Sequence, residues 1–370
     1  MGGGANRSMV QLMLELRDNH DVNPVVLVPF GKLLPGDHGL VEECAKHNIQ
    51  VERSIIPWFI HNKVWVQRIK YLMLFFYYPL LLIKLKKYKI QLIHSNGSVF
   101  DLGAWLSSSF KVPHIWHLRE FGSEDETFKP VWNNKYIKKA YKKGDVFIAI
   151  SDIIKKYYIG KVSEDKIIRI YNGISLDKYN LLAEHKNSIT KFVIVGAVSQ
   201  AKNQFDAVQA SKLLIERNVS NFHITIVGQP DHKYEIQLKD YIEANQLGDK
   251  IDLLGLRNDV PRILQSMDVG LMLSRTEAFG RVTVEYMLQN LAVIASDTGA
   301  NPEIIKDGTT GLIYTIHNPN ELADKMERFI KDREYMLTIA CNGNQYARDN
   351  FPSKKNSDAI FQVYKRFVKE

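Results

Sequence analysis

Cysteine is nearly missing from this 370-residue chain: Cys44 and Cys341 stand alone. Two thiols supply no disulfide framework and no cysteine-rich metal site, which suits a cytoplasmic protein. A dinucleotide fingerprint is missing as well. The opening "GGGANRS" lacks the G-x-G-x-x-G spacing after a strand that a nicotinamide-dependent dehydrogenase needs. There is no short-period repeat, no low-complexity tract and no segment patterned as a signal peptide. Long apolar runs are scarce, and the longest, "YLMLFFYYPLLLI" at 71–83, is too short to span a bilayer as a helix. Acidic residues are the minority charge, 41 against 49 Lys and Arg, so the net charge of +8 points to an anionic partner. A phosphate ligand or an acidic lipid surface fits. Nucleic acid is suggested by charge alone, without a binding motif, and is not expected.

With 45% hydrophobic residues the chain has enough apolar material for two globular domains. "MGGGANRSMVQLMLELRDN" reads as a glycine loop running into an amphipathic helix, with Met9, Leu12, Met13 and Leu16 apolar. Strand-like runs follow at 24–30, 50–56, 90–96, 113–118 and 145–151, with helical patterns between them. "IRIYNGISLDKY" closes this half, and "NLLAEHKNSIT" has the polarity of a linker. The alternation then restarts, with strands at 191–199, 223–229, 250–256, 269–274 and 292–297. Strands alternating with helices predict two α/β domains, each a doubly wound sheet. In such a domain the glycine loop follows a first, mid-sheet strand. Here the loop begins at Gly2, so the first N-terminal strand is expected to be missing, as in a fragment or a mis-assigned start.

The chemistry concentrates in "SRTEAFGRVTVEYMLQNLAVIASDTGANPEII" at 274–305. Arg275, Thr276 and Glu277 follow a strand at its carboxyl end, where open α/β sheets bind ligands. Gly280 allows close backbone approach and opens a helix whose N–H groups and positive dipole end suit a diphosphate. Glu285 lies about one and a half turns into that helix, where a carboxylate can grip vicinal hydroxyls. Two acids around an anion-binding helix start fit a nucleotide sugar: Glu277 on the sugar, the Phe279–Gly280 backbone on the phosphates, Glu285 on the ribose. For an isolated pair of acids the plainer reading is a surface Glu and a solvated helix face. "VGAVSQAKNQ" at 195–204 is a strand and loop whose Lys202 could hold a phosphate as a compact flexible cation. Arg281 either assists from the opposite helix or points outward. Asn290 occupies a helix-end position that tolerates left-handed backbone, and Glu303 reads as a helix cap.

These motifs together resemble the retaining GT-B glycosyltransferases of glycosyltransferase family 4, also called group 1. The resemblance runs through "VGAVSQAKNQ", "LLGLRNDVPRILQSMDVGLMLS" (253–274), "EAFGRVTVE", "IASDTGANPEII" (294–305) and "DGTTGLIY" (307–314). In the first half it rests on the Gly-Gly loop at 2–4, "HLREF" (117–121), "AIS" (149–151) and "YNGI" (171–174). It implies an acceptor-side domain over 1–175, a linker over 176–190, a nucleotide-sugar domain over 191–351, and a C-terminal helix at 352–370 packing back on the first domain. It implies that two Rossmann-like domains face an interdomain cleft. It makes Glu277 and His117 the catalytic pair orienting the sugar. Donor binding falls to Lys202, Phe279, Gly280, Arg281, Glu285, Gly196, Leu256, Gly3 and Gly4. Arg119 and Glu120 contact either substrate or pair on the surface, and Asn172–Gly173 shape the hinge. One departure stands out: Ala197 occupies the position where family members usually carry a second basic residue, which weakens the diphosphate clamp. No Asp-x-Asp occurs in the chain, so no metal or other cofactor is expected.

The implied activity is retaining transfer of a hexose-type sugar from a nucleotide sugar, by default a UDP-sugar, to a glycan or lipid-linked acceptor. Bacterial capsule or exopolysaccharide synthesis is the associated setting. A sugar-nucleotide epimerase on the same fold, or a non-catalytic scaffold, are the rival readings. Residues 61–90 carry seven Lys or Arg, no acid and many aromatics. Such a stretch suits an anionic membrane surface, giving peripheral attachment to the inner face of the plasma membrane. The plainer alternative is a buried helix with solvated basic ends, kinked at Pro79.

Overall fold

The computed structural model describes residues 4–30, 38–122, 129–179 and 189–368. One compact unit is formed by Met1–Gly173 with Ser353–Glu370, the other by Ile174–Pro352.

The second unit is built on a six-stranded sheet. Its order is Ile251–Leu253, Phe222–Val227, Thr190–Val195, Val269–Met272, Ala292–Ser296, Leu312–Tyr314, and every pairing is parallel. Val269–Met272 and Ala292–Ser296 are buried at every position. That is why they read as continuous apolar runs: helices cover both faces of a parallel sheet. Phe192, Ile224 and Leu271 of the sheet share one core with Leu214, Leu238, Phe329 and Ile339 of the helices. Helix starts are fixed by side-chain caps. Asp231 accepts from the Tyr234 N–H, Asn318 from Glu321, and Asp332 from Tyr335. The three-residue strand Leu312–Tyr314 is absent from the strand expectations; it lies within "DGTTGLIY" and is too short to show a period.

Helix Arg281–Leu288 is set down on this sheet by one aromatic contact. A Cβ on Gly270 would lie 2.2 Å from the ring of Tyr286, so only glycine leaves room there. Tyr286 is fully buried, and its hydroxyl accepts the Val195 N–H at 2.7 Å. The helix is thereby tied to the end of the Thr190–Val195 strand.

The first unit departs from the single sheet expected of it. Val25–Pro29 and Gln50–Ser54 form a separate parallel pair, while Ile93–Asn96, His114–Leu118, Val146–Ala149 and Ile167–Arg169 form a four-stranded parallel sheet. No strand among the described residues joins the two pieces. The helix Gly4–His20 serves both cores: Met13 packs with Val26 and Val28, Leu12 and Leu16 with Ile115 and Ile148. Gly4 is the first residue of that helix rather than part of a loop. Ile360 and Val363, from the final helix Ser353–Lys365, complete the second of these cores.

The apolar run at 71–83 is only the middle of a longer element. Helix Val64–Lys86 has 23 residues, because Trp65, Val66 and Ile69 extend it upstream and Lys84 to Lys86 downstream. By length and composition it would suffice to cross a membrane, contrary to the expectation from the run alone.

Gly270→Ala should destabilise the second unit by about 1–3 kcal/mol through overpacking against Tyr286. Chemical denaturation of the full chain would measure this; an unchanged midpoint would show that the helix can shift freely.

Candidate active site

At the carboxyl end of Val269–Met272 the chain turns through 273–280 into helix Arg281–Leu288. Gly280 makes that turn with φ of +82°, a left-handed conformation that side-chain-bearing residues rarely adopt. The neighbouring loop, after Thr190–Val195, is stitched to it by the Arg275 N–H donating to the Ala201 carbonyl at 2.9 Å. Within that loop Gln204 closes both sides, accepting from the Ser199 N–H and donating to the Ala197 carbonyl.

Two loops held this way bring Lys202 and Glu277 together. Lys202 Nζ donates to Glu277 Oε2 at 2.7 Å, and the Gly280 N–H donates to Glu277 Oε1 at 3.3 Å. Each carboxylate oxygen therefore meets one positive group: an ammonium, or the start of a helix dipole. Gly299 permits the loop's close packing, since a Cβ there would sit 2.4 Å from the Glu277 carbonyl oxygen. Gly196 lies beside the aliphatic stem of Lys202. Arg281 Nε donates to Glu285 Oε1 at 2.9 Å, and both side chains are largely buried. The guanidinium lies along the helix toward Glu285 and does not point outward. Phe279 is buried and packs edge-on against Phe351.

The remaining candidates of this unit have plainer places. Leu256 is exposed on the loop after Ile251–Leu253, and Arg257 beside it pairs with Asp259. Asn301 is buried, donating to Ser296 Oγ and accepting from Thr283 Oγ1. Asn290 has φ of +65°, in line with the helix-end geometry expected of it. Glu303 stands in the first turn of Asn301–Ile304.

In the first unit His117 ends up wholly buried on strand His114–Leu118. Its protonation follows from its neighbours. Arg119 has only donors, and its Nη2 reaches His117 Nδ1 at 3.3 Å, so that nitrogen accepts. His94 Nε2, 3.0 Å from the same atom, must then donate, and His94 Nδ1 accepts from the Tyr364 hydroxyl. The proton of His117 is thereby placed on Nε2, which has no partner among the described residues. Burial, then the Arg119 charge, holds His117 well below the usual histidine range; the same causes push His94 down to about 3. The result is a neutral imidazole with one buried, unanswered N–H. Arg119 also donates to Asn96 and to Asn172 Oδ1, and Glu120 accepts from the Ser98 N–H and hydroxyl. Arg119 and Glu120 therefore do not form a surface pair. His94 and Tyr364 escaped the sequence reading, because 270 residues separate them and no local pattern joins them. Gly4 lies in this unit, and Gly3 falls outside the described residues.

Residues 2–178 match the family described as Glycosyltransferase Family 4, and residues 183–346 match Glycosyl transferases group 1. The chain belongs to this group 1/family 4 glycosyltransferase family. It is 28% identical over 280 residues to an uncharacterized glycosyltransferase of Methanocaldococcus jannaschii, covering 74% of this chain and 75% of that one. It is 24% identical to the UDP-Gal:alpha-D-GlcNAc-diphosphoundecaprenol alpha-1,3-galactosyltransferase of Escherichia coli, over 76% of each chain. Among solved structures, Anabaena HepE in complex with UDP superposes with a TM-score of 0.79 at 20% identity, covering 99% of this chain and 97% of that one. A glycosyltransferase from Rickettsia africae gives 0.79 at 19% identity, covering 100% and 96%. The fold is GT-B, with two Rossmann-like domains.

The buried histidines set a pH dependence of stability. His94 and His114 are held near 3 and His117 well below 6.5, all chiefly by burial. Below pH 6.5 the unfolded chain takes up protons that the folded chain refuses, so stability present above 6.5 is lost as pH falls. The Tm should drop between pH 7 and pH 5 in scanning calorimetry; a level or rising Tm would contradict neutral burial of these rings.

Proposed function

We propose that this glycosyltransferase moves a hexose-type sugar from a UDP-sugar to a glycan or lipid-linked acceptor, with retention and without a metal. Cell-surface glycan synthesis of the bacterial capsule or exopolysaccharide kind is the setting. The observation that carries the reading is the convergence of Lys202 and the Gly280 N–H on the one carboxylate of Glu277. An ammonium and a helix start side by side suit a diphosphate, and an acid fixed between them suits sugar hydroxyls. The relatives support this choice of substrates. The E. coli protein is named for a UDP-linked galactose and a diphosphoundecaprenol acceptor, and Anabaena HepE was crystallised with UDP-glucose.

In the proposed reaction the anomeric C–O bond to the diphosphate breaks, and the acceptor oxygen bonds to that carbon on the same face. The acceptor's proton passes to the departing phosphate oxygen. Both oxygens of Glu277 already receive hydrogen bonds, and Glu285 is held by Arg281, so neither acid is offered as a nucleophile. This favours front-face attack over a covalent sugar–enzyme intermediate. Lys202 and the helix start stabilise the charge of the leaving group. Glu277 orients the sugar.

Glu277→Ala should cut kcat roughly 100-fold or more, the scale of losing one preorganised group, with an unchanged Tm. Lys202→Ala should raise the donor KM and lower kcat together. Transfer assays with UDP-glucose and UDP-galactose, read alongside proton NMR of the product anomer, would check both. Full activity of Glu277→Ala, or an inverted product, would refute the assignment.

A further inference from the structure

Helix Val64–Lys86 divides its length between two environments. Tyr71, Leu74, Leu81 and Leu85 are buried, and Leu74, Leu81 and Leu85 share a core with Leu102 and Leu106. Polar contacts fix the same face. Tyr71 donates to buried Asp101 at 2.8 Å, Gln67 accepts from the Trp58 N–H, and Tyr78 bonds Ser109. The opposite face carries Trp65, Ile69, Leu72, Phe76, Leu80 and Ile83, spaced three or four apart. Such spacing forms one continuous stripe along a helix. All six are exposed, from 45% for Ile69 to 72% for Phe76 and Ile83. A stripe of this size on one element marks an interaction surface rather than ordinary surface scatter.

The charges select the partner. Lys63 stands before the helix, with Lys86 and Lys89 at its far end, all three exposed. Lys84 and Lys87 pair with Glu52, whose carboxyl they and Tyr88 hold down at about 2. Since 61–90 contains no acid, two copies of this face would repel each other. A groove lined by Trp132, Lys135 and Lys139 opens beside the helix, where Trp132 and Tyr136 pack on Tyr71.

We infer that this face docks on an anionic lipid bilayer, with the helix lying in the plane of the interface. Its stripe enters the acyl boundary while Lys63, Lys86 and Lys89 meet phosphate headgroups. The helix is about 35 Å long at 1.5 Å per residue, so it lays down an extended contact. Crossing is ruled out for the folded protein, because the Tyr71–Asp101 side is built into the core. The docking does not rest on the transferase reading and is measured without a sugar donor.

The test is flotation of the full chain with vesicles of phosphatidylcholine alone or with 30% (roughly, a common anionic fraction) phosphatidylglycerol. Wild type should float with the mixed vesicles and at least tenfold less with the neutral ones. Trp65→Ser/Phe76→Ser/Ile83→Ser, all at exposed positions, should lose flotation while keeping the wild-type Tm. Lys63→Ala/Lys86→Ala/Lys89→Ala should lose the preference for anionic lipid. Failure of wild type to float at low salt, or undiminished flotation of the apolar variant, would overturn the inference. So would a concentration-dependent dimer that the apolar variant abolishes and vesicles do not disperse.

Discussion

The site of the second unit depends on the constraint placed on a single carboxylate. Glu277 is held from two sides, by a lysine from one strand-end loop and by the N–H that opens a helix from its own. Neither contact would form if the loops were free to drift. The Arg275–Ala201 backbone bond joins them, the left-handed Gly280 aims the helix, and the Tyr286 hydroxyl fixes that helix to the strand from which the Lys202 loop departs. The charge arrangement is therefore a property of the sheet and not of one flexible side chain. That is how a partly exposed ion pair, worth little on an open surface, comes to be held in one geometry.

Much of this was legible in the residues. Continuous apolar runs gave most of the parallel strands, since a strand buried on both faces has no polar alternation to disguise it. The placement of Glu277, Gly280 and Glu285 around one helix start followed from local spacing. The Arg281–Glu285 bond is the ordinary consequence of residues four apart on a helix. What escaped were features set at long range. Ile167–Arg169 and Leu312–Tyr314 are too short to show a period, and they become strands only because neighbours offer an edge. The division of the first unit's sheet into two pieces follows from pairing, which no run of residues encodes. The full length of the 64–86 helix was obscured because its stripe of exposed apolar residues merges with the buried ones into one run.

The histidine chain of the first unit is the clearest long-range case. His94 and His117 sit on adjacent strands, in register such that Asn96 faces His117 and the two rings meet at 3.0 Å. Two neutral imidazoles in contact have four nitrogens to allot, and only outside groups can decide which ones carry protons. Arg119, which has donors only, decides, and the Tyr364 hydroxyl follows by donating to His94 Nδ1. Tyr364 arrives on helix Ser353–Lys365, after the chain has built the whole second unit and returned. The same helix supplies Ile360 and Val363 to the first unit's core, so apolar packing brings the tyrosine to the histidine. Arg119 sets the tautomers, and burial of aliphatic residues places the hydroxyl that completes the chain at its far end. The buried Nε2–H of His117 is thus set by Arg119, and the last helix of the chain supplies the hydroxyl that accommodates it.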